Sequence, residues 1–252
     1  MINPKQRERI SKKARKDVET LIKSHIDRFN NLLYMTQISY DTFSFKNKVI
    51  SKKVDNLTNI IENELYNLCI NSSLYNLNEN ENSNDVISFI TRDKDSGSLA
   101  SNIKKYVSVL NSEIEAYIES SLYFDISIAN GLKVLKNNLE NAYNTDFIVK
   151  AYKEVDKPKN NIIKLKGLTV KKGEYKTSLA NLKRLAWFVV IESITYRQIS
   201  IFKNMGFSKV VVLRGSSYPC SYCDSFLGVY DINDFENLPP QHSNCYCYIE
   251  PV

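Results

Sequence analysis

Residues 177–214, TSLANLKRLAWFVVIESITYRQISIFKNMGFSKVVVLR, contain the change from helix to strand that organises the chain. Thr177 or Ser178 can cap a helix over about 179–204, because a hydroxyl oxygen accepts hydrogen bonds from the unpaired N–H groups of a first helical turn. Apolar side chains recur there at three- and four-residue steps, and Gly206 is typical of a helix C-terminus. The β-branched run KVVVLR that follows predicts a strand.

Amphipathic helices are predicted over most of the preceding chain, where apolar residues recur with helical spacing. Pro4 suits the first turn of the first of these helices. The predicted helices cover residues 4–34, 55–71, 99–123 and 129–143. We expect loop or extended structure over 36–54 and 76–85, and short strands or a connecting arm over 154–177.

The order of these elements predicts an α+β protein that is mainly α. The strand at 209–214 and the cysteine-bearing tail form a change of composition at about residue 207. We predict four regions: an N-terminal helical region with a basic first helix (1–75), a linker or loop (76–98), a helical middle region (99–206) and a small zinc-binding, β-containing C-terminal module (207–252).

The composition is that of a folded protein without a membrane span. Of the 252 residues, 43% are hydrophobic, yet mean hydropathy is negative. No stretch approaches the roughly eighteen consecutive apolar residues of a spanning helix, and the start, MINPK, lacks the apolar run of a signal peptide. Five cysteines do not make a complete disulfide framework. Four of them fall in the last 33 residues together with one of the two histidines, and this grouping favours a metal site in a reducing compartment.

Positive charge is concentrated at the N-terminus. Residues 1–24 carry eight basic and three acidic side chains, which is +5 of the chain's net +6. One interpretation is a solvated helix end. The other is a docking surface for an acidic partner or for packaged nucleic acid. The candidate partner-binding residues are Lys5, Arg7, Arg9, Lys12, Lys13, Arg15 and Lys16.

Cysteine and histidine side chains form two clusters near the C-terminus. These are PCSYC at 219–223 and PPQHSNCYC at 239–247, with eighteen residues between Cys223 and His242. A Cys-x-x-Cys turn brings two thiolates close enough to share one tetrahedral ion, and a second pair completes the four ligands. The candidate zinc ligands are Cys220, Cys223, His242, Cys245 and Cys247.

These five candidates exceed the four coordination positions of a tetrahedral zinc ion. On a regular strand the Cys245 and Cys247 sulfurs would lie about 6–7 Å apart, too far to share one zinc ion. We therefore predict Cys220, Cys223 and His242 with either Cys245 or Cys247, and all four C-terminal cysteines as the alternative. The surplus of ligands favours a structural site, because catalytic zinc keeps an open position. The competing interpretations are a redox pair, two disulfides and an ordinary surface histidine.

A zinc site would supply stability that the C-terminal tail lacks. About forty residues bury too little surface to fold alone, and a metal can replace the missing core. We expect the site to fasten the strand at 209–214 to a C-terminal strand near 246–252. Cys69, by contrast, lies on the apolar stripe of the second helix and is predicted to be a core thiol.

The C-terminal sequence also resembles a known family in the order and spacing of its residues. Those residues are Glu192 and Gly206, then Cys220, Cys223, Asp224 and Gly228, then Pro239, Pro240, His242, Asn244, Cys245, Cys247, Ile249, Pro251 and Val252. Together they are similar to the phage head morphogenesis family, the minor head proteins like protein F of phage Mu. The resemblance covers about 175–252. Ser243 stands where the family often has Pro, Tyr246 where it often has Arg, and Val190 where an Arg commonly precedes the Glu.

This resemblance implies a low-copy virion protein that acts in head assembly, at the portal vertex or in the head interior. It implies no enzymatic reaction. The implied partners are the phage portal and major capsid proteins, met in the host cytoplasm where heads assemble. The basic first helix could face an acidic surface of either protein, or packaged DNA. No membrane and no small-molecule substrate is expected.

Two other classes of function compete with this one. A zinc-containing nucleic-acid-binding protein would use the basic first helix, although the tyrosines of the tail lack interleaved basic residues over 215–252. A zinc hydrolase would need a catalytic constellation. The sequence offers no Ser/His/Asp set, no glycine-rich phosphate loop and only two histidines.

Overall fold

The computed structural model describes residues 4–34, 48–75, 82–93, 97–140, 162–165, 168–171, 177–215, 221–241 and 245–252. Within them the protein is mainly helical with a small antiparallel sheet near the C-terminus, which confirms the α+β prediction. The elements are α1 (Pro4–Tyr34), α2 (Lys48–Ser73), α3 (Ser83–Thr91), α4 (Leu99–Tyr123), α5 (Ile128–Glu140), β1 (Ile162–Leu165), β2 (Leu168–Lys171), α6 (Ser178–Asn204), β3 (Lys209–Leu213), α7 (Ser221–Asp224), β4 (Gly228–Asp231) and β5 (Tyr248–Pro251).

The long helices lie where the apolar periodicity predicts them. α1, α4 and α6 begin and end within about a residue of the expected positions. Thr177 caps α6, because its hydroxyl oxygen accepts a hydrogen bond of 3.2 Å from the Ala180 N–H group. Gly206 follows α6 with a φ of +90°, a conformation that favours glycine. Cys69 is buried on α2, as predicted.

Two secondary-structure predictions are wrong. Helix α2 begins at Lys48, so the end of the predicted extended segment is helical, with Ile50 and Val54 buried. Helix α3 lies inside the predicted linker 76–98; Asn82 caps it and Val86 is buried. Both segments are shorter than the roughly 11–18 residues over which helical periodicity becomes recognisable, which explains both differences. Residues 36–47, 76–81 and 94–96 of the predicted loops, and the chain between α5 and β1, lie outside the described residues.

The strands form two antiparallel sheets. β1 pairs with β2, with Ile163 opposite Val170. The C-terminal sheet has the order β4-β3-β5, so β3 is central and both neighbours run antiparallel to it. Val211 stands opposite Val229 on one side and Glu250 on the other. The predicted pairing of the strand near 209 with a C-terminal strand is therefore confirmed.

The chain forms two compact units. Unit 1 comprises Met1–Asp17, Tyr66–Leu99 and Lys183–Val252, and unit 2 comprises Val18–Leu65 and Ala100–Leu182. Unit 2 buries long apolar stripes, whose largest members include Phe29 and Leu110. In unit 1, the C-terminal sheet packs on the end of α6 in a core of Ile199, Phe202, Val210, Val212, Cys223, Ile232, Leu238, Cys245, Cys247 and Ile249.

Helix α6 has buried residues on all of its faces. Among the described residues it is the one helix that is long and apolar enough to cross a membrane. Of its apolar 18-residue segment, 67% is buried inside the protein. A helix that is apolar on all sides is equally typical of a protein core.

Candidate metal centre

Three cysteine sulfurs of unit 1 converge on one point. The Sγ atoms of Cys223, Cys245 and Cys247 all lie within 4.8 Å of one another, and those of Cys223 and Cys245 are 3.7 Å apart. In a tetrahedral site with metal–sulfur bonds of about 2.3 Å, two sulfurs stand about 3.8 Å apart. The three thiols are therefore spaced to hold one metal ion.

Different elements bring these thiols together around the central strand β3. Cys223 lies in the short helix α7, and its neighbour Asp224 forms an ion pair with Arg214, directly after β3. Cys245 and Cys247 lie just before β5, which pairs with β3 over Val210–Leu213. Both halves of the cysteine motif are thus attached to the same strand.

Cys245 and Cys247 both belong to the cluster, so the prediction that their sulfurs lie about 6–7 Å apart is wrong. The prediction assumed a regular strand, which would hold the two sulfurs too far apart. Residues 245–247 instead form irregular structure before β5 begins at Tyr248. Since both sulfurs join Cys223, one place remains in a four-coordinate site.

The electrostatics of the pair favour a thiolate at the first of the two cysteines. A hydrogen bond with the Cys247 thiol, supported by backbone N–H groups, lowers the pKa of Cys245 to about 5. The same contact, together with burial, raises the pKa of Cys247. Two thiols this close cannot both ionise easily without a cation between them, and a metal ion supplies that charge.

Gly215 makes room for the segment that carries the two thiols. A Cβ atom at this position would overlap the backbone carbonyl oxygen of Tyr246. The side chain of Tyr246 lies against Trp187 of α6, with ring centroids 5.3 Å apart. The backbone between Cys245 and Cys247 is therefore held between the end of β3 and helix α6.

Cys220 and His242, the other two predicted ligands, lie outside the described residues. The chain leading to His242 is ordered by its own hydrogen bonds. Gln241 donates from its amide nitrogen to the backbone oxygens of Glu236 and Leu238, both at 3.0 Å. Leu238 is buried in the same core as the three cysteines.

Arg7 does not lie on the exposed basic surface to which the sequence assigned it. Its side chain is only 6% exposed, and Nη1 donates a hydrogen bond of 2.6 Å to the backbone oxygen of Cys247. Burial lowers the pKa of Arg7 to about 10, while the nearby Cys245 and Cys247 act in the opposite direction. The guanidinium therefore stays charged at neutral pH, and it faces the thiol cluster instead of solvent.

The other predicted cations of α1 divide into two groups. Arg15 is half-buried, with its guanidinium 4.0 Å from the ring centroid of Trp187. Lys12 pairs with Glu8 at 2.7 Å and remains exposed. The further exposed cations of this set are Lys5, Arg9, Lys13 and Lys16.

A signal for the burial of Arg7 was present in the sequence. Arg7 stands seven residues before Ala14, on a buried stripe that also includes Ile10 and Val18. Positions separated by seven residues lie on the same face of a helix. The position therefore belongs to the core-facing stripe, and the basic composition of the segment concealed it.

Glu192 also has a partner that local sequence did not reveal. It is 5% exposed and forms an ion pair of 3.0 Å with Arg92, directly after α3. Both residues line a cavity of about 770 Å³ in unit 1. Val190 stands two residues before Glu192 on α6, so the positive charge comes from another part of the chain.

No family model, no curated protein and no solved structure matches this chain at significance. The assignment of function therefore depends on the residues of the chain and on their geometry.

Proposed function

We propose that this protein is a structural minor head protein of a tailed bacteriophage, acting in head assembly at the portal vertex or in the head interior. The observation that carries the proposal is the cluster of Cys223, Cys245 and Cys247. These thiols belong to the Cys-x-x-Cys and His-x-x-Cys-x-Cys segments through which the chain resembles the phage head morphogenesis family. The irregular Cys-x-Cys segment brings both sulfurs into one cluster, and a structural metal site would account for this unusual C-terminal motif.

The proposed metal is zinc, held in a structural site. Buried thiols at tetrahedral spacing match the preference of zinc for sulfur ligands. The three side chains are between 1% and 5% exposed, so a substrate has no access through them. The fourth ligand is His242 or Cys220. In this role zinc supplies the cohesion that a sheet of four- and five-residue strands lacks.

The proposed docking surface is the exposed basic face of α1. Its exposed cations are Lys5, Arg9, Lys12, Lys13 and Lys16, since Arg7 is buried and Arg15 is half-buried. A row of like charges on a helix attracts an acidic partner, and the portal and major capsid proteins are the proposed partners. Packaged DNA presents the same complementary charge.

The proposal is tested on particles of the phage or prophage that encodes the chain. Mass spectrometry of purified heads should detect the chain at low copy, and deletion of its gene should reduce the yield of filled heads. Complementation with Cys245→Ser/Cys247→Ser should fail, whereas complementation with Cys69→Ser, which alters a thiol outside the cluster, should succeed. Absence of the chain from both assembling and finished heads would contradict the proposal. A portal gene directly upstream would support it.

A nucleic-acid-binding role is the second candidate, and the exposed cations of α1 favour it. Its signature is affinity for DNA that falls steeply with salt, by roughly one logarithmic unit per contacted phosphate for each tenfold rise in salt. Lys5→Gln/Arg9→Gln should weaken that binding. Weak binding that is insensitive to these changes leaves the head-assembly role as the better account.

A further inference from the structure

We infer that Arg7 is the counter-cation of the metal centre, so that metal loading and the seating of the N-terminal helix on the C-terminal module are thermodynamically coupled. This inference rests on the proposed metal centre. It assigns to one of the basic residues of α1 a role toward the thiol cluster, apart from the partner-docking role of the exposed cations.

The first support is the burial and the hydrogen bonding of the guanidinium. Arg7 is 6% exposed and donates from Nη1 to the backbone oxygen of Cys247, a residue 240 positions away. Its Nε and Nη2 atoms are buried and have no hydrogen-bond partner among the described residues. An unpaired buried guanidinium is costly, because its charge loses hydration. A concentration of negative charge next to it offsets that cost.

The second support is the charge of the occupied site. Three thiolates around a divalent ion leave one net negative charge, and the Arg7 guanidinium neutralises it. A neutral fourth ligand preserves this balance, whereas a fourth thiolate leaves an uncompensated charge in the core. Among the described residues, Arg7 is the buried guanidinium next to the cluster, and one such charge fits a site with a neutral fourth ligand.

Coupling follows from the position of Arg7 on α1. The same helix carries the exposed cations Lys5 and Arg9 on either side of Arg7. If the occupied site attracts Arg7, metal binding holds this turn of α1 in place. By linkage, a seated α1 must in turn strengthen metal binding by the same factor. The metal thus fixes the direction in which the basic face is presented.

The test is a titration of the full chain with Co²⁺, followed by competition with Zn²⁺, under reducing conditions. Cobalt reports tetrahedral thiolate coordination through its visible and near-ultraviolet absorption. The variants are Arg7→Met, which removes the charge, and Arg7→Lys, which retains it. Lys5→Met is the matched control, because it removes an exposed charge from the same helix.

We expect Arg7→Met to weaken metal affinity by roughly 10- to 100-fold, the range seen when residues next to a metal site are changed. Arg7→Lys should recover much of that loss, and Lys5→Met should bind like the unaltered chain. If Arg7→Met binds metal as tightly as the unaltered chain and gives a normal cobalt spectrum, the inference about Arg7 is overturned and the metal centre is not. Failure of the unaltered chain to bind cobalt or zinc overturns the metal centre itself.

Amide hydrogen exchange on the unaltered chain provides a test that does not depend on a variant folding. Metal loading should slow exchange in residues 5–16 of α1 as well as in residues 245–252. Slowing confined to the C-terminal residues overturns the coupling while leaving the metal centre intact.

Discussion

Unit 2 and the C-terminal part of unit 1 are stabilised by different means. Unit 2 contains long helices whose apolar stripes meet, so it buries Phe29, Leu110 and Ile114 almost completely. The C-terminal sheet has strands of only four or five residues, and three of the ten buried residues in its core are cysteines. Long stripes supply hydrophobic stabilisation in proportion to their length. Short strands do not, and a metal ion can make up the difference.

Metal removal is expected to have the largest effect, because it should destabilise the C-terminal module and leave unit 2 folded. Structural zinc binding to thiol sites contributes on the order of 10 kcal/mol, because the ligands are organised only in the folded state. A chelator should therefore accelerate amide hydrogen exchange in the residues after 207, while the amides of unit 2 stay protected. About one metal per chain should be found before chelation.

Cys69→Ser is the control for this experiment, because Cys69 is buried away from the cluster. It should leave the metal content unchanged, whereas Cys223→Ser should abolish it. Metal-free protein whose C-terminal amides remain fully protected would refute the metal-dependent account of the module.

A cavity in unit 2 should produce the next largest effect. Leu110→Ala removes a side chain that is 0% exposed and should cost about 2–5 kcal/mol. Urea unfolding followed by circular dichroism measures this loss. Because Leu110 lies in the core of unit 2 and not at the thiol cluster, the loss should be the same with and without chelator. A loss that disappears on chelation would show that the two units do not have separate sources of stability.

Acid should affect unit 2 through His25, which is fully buried against Phe29 with ring centroids 5.1 Å apart. Burial, helped by the positive charge of Arg28, lowers the pKa of His25 from 6.5 to about 4. The folded state therefore binds a proton less readily than the unfolded chain. The contribution of neutral His25 to the free energy of unfolding is complete above about pH 6.5. It is lost as the pH falls through about 4, and the total loss is roughly 3 kcal/mol.

His25→Leu should remove this part of the pH dependence. The difference in unfolding free energy between the variant and the unaltered chain, measured by urea titration from pH 7.5 to pH 4, isolates it from other titrating groups. A difference that is constant over this range would mean that His25 can be protonated in the folded state without cost.

The smallest expected effect compares a glycine from each unit. Gly215→Ala places a methyl group on the backbone oxygen of Tyr246, so it should shift the Cys245–Cys247 segment and weaken cobalt affinity, at a cost of about 1–3 kcal/mol. Gly131→Ala in α5 instead meets the side chain of Ser121, which can rotate. We expect Gly131→Ala to leave cobalt affinity unchanged. An equal loss in both variants would remove the assigned role of Gly215.

Local sequence was a good guide wherever neighbours along the chain decide the structure. The bounds of α1, α4 and α6 follow from apolar spacing, and the ends of α6 follow from Thr177 and Gly206. These features depend on residues three or four positions apart, which a sequence displays directly. The same reasoning failed for α2 before residue 55 and for α3, because both segments are too short to show a helical period.

The sequence by itself determined the long helices α1, α4 and α6, the central strand β3 and the cysteine motif from which a metal site is proposed. Only the tertiary structure decided that Cys245 and Cys247 both join Cys223, that Arg7 leaves the basic surface to face these thiols, and that Arg92 pairs with Glu192. Each of these contacts joins distant parts of the chain. Their formation depends on how the elements pack and on the cost of burying charge without a partner, which no local pattern records.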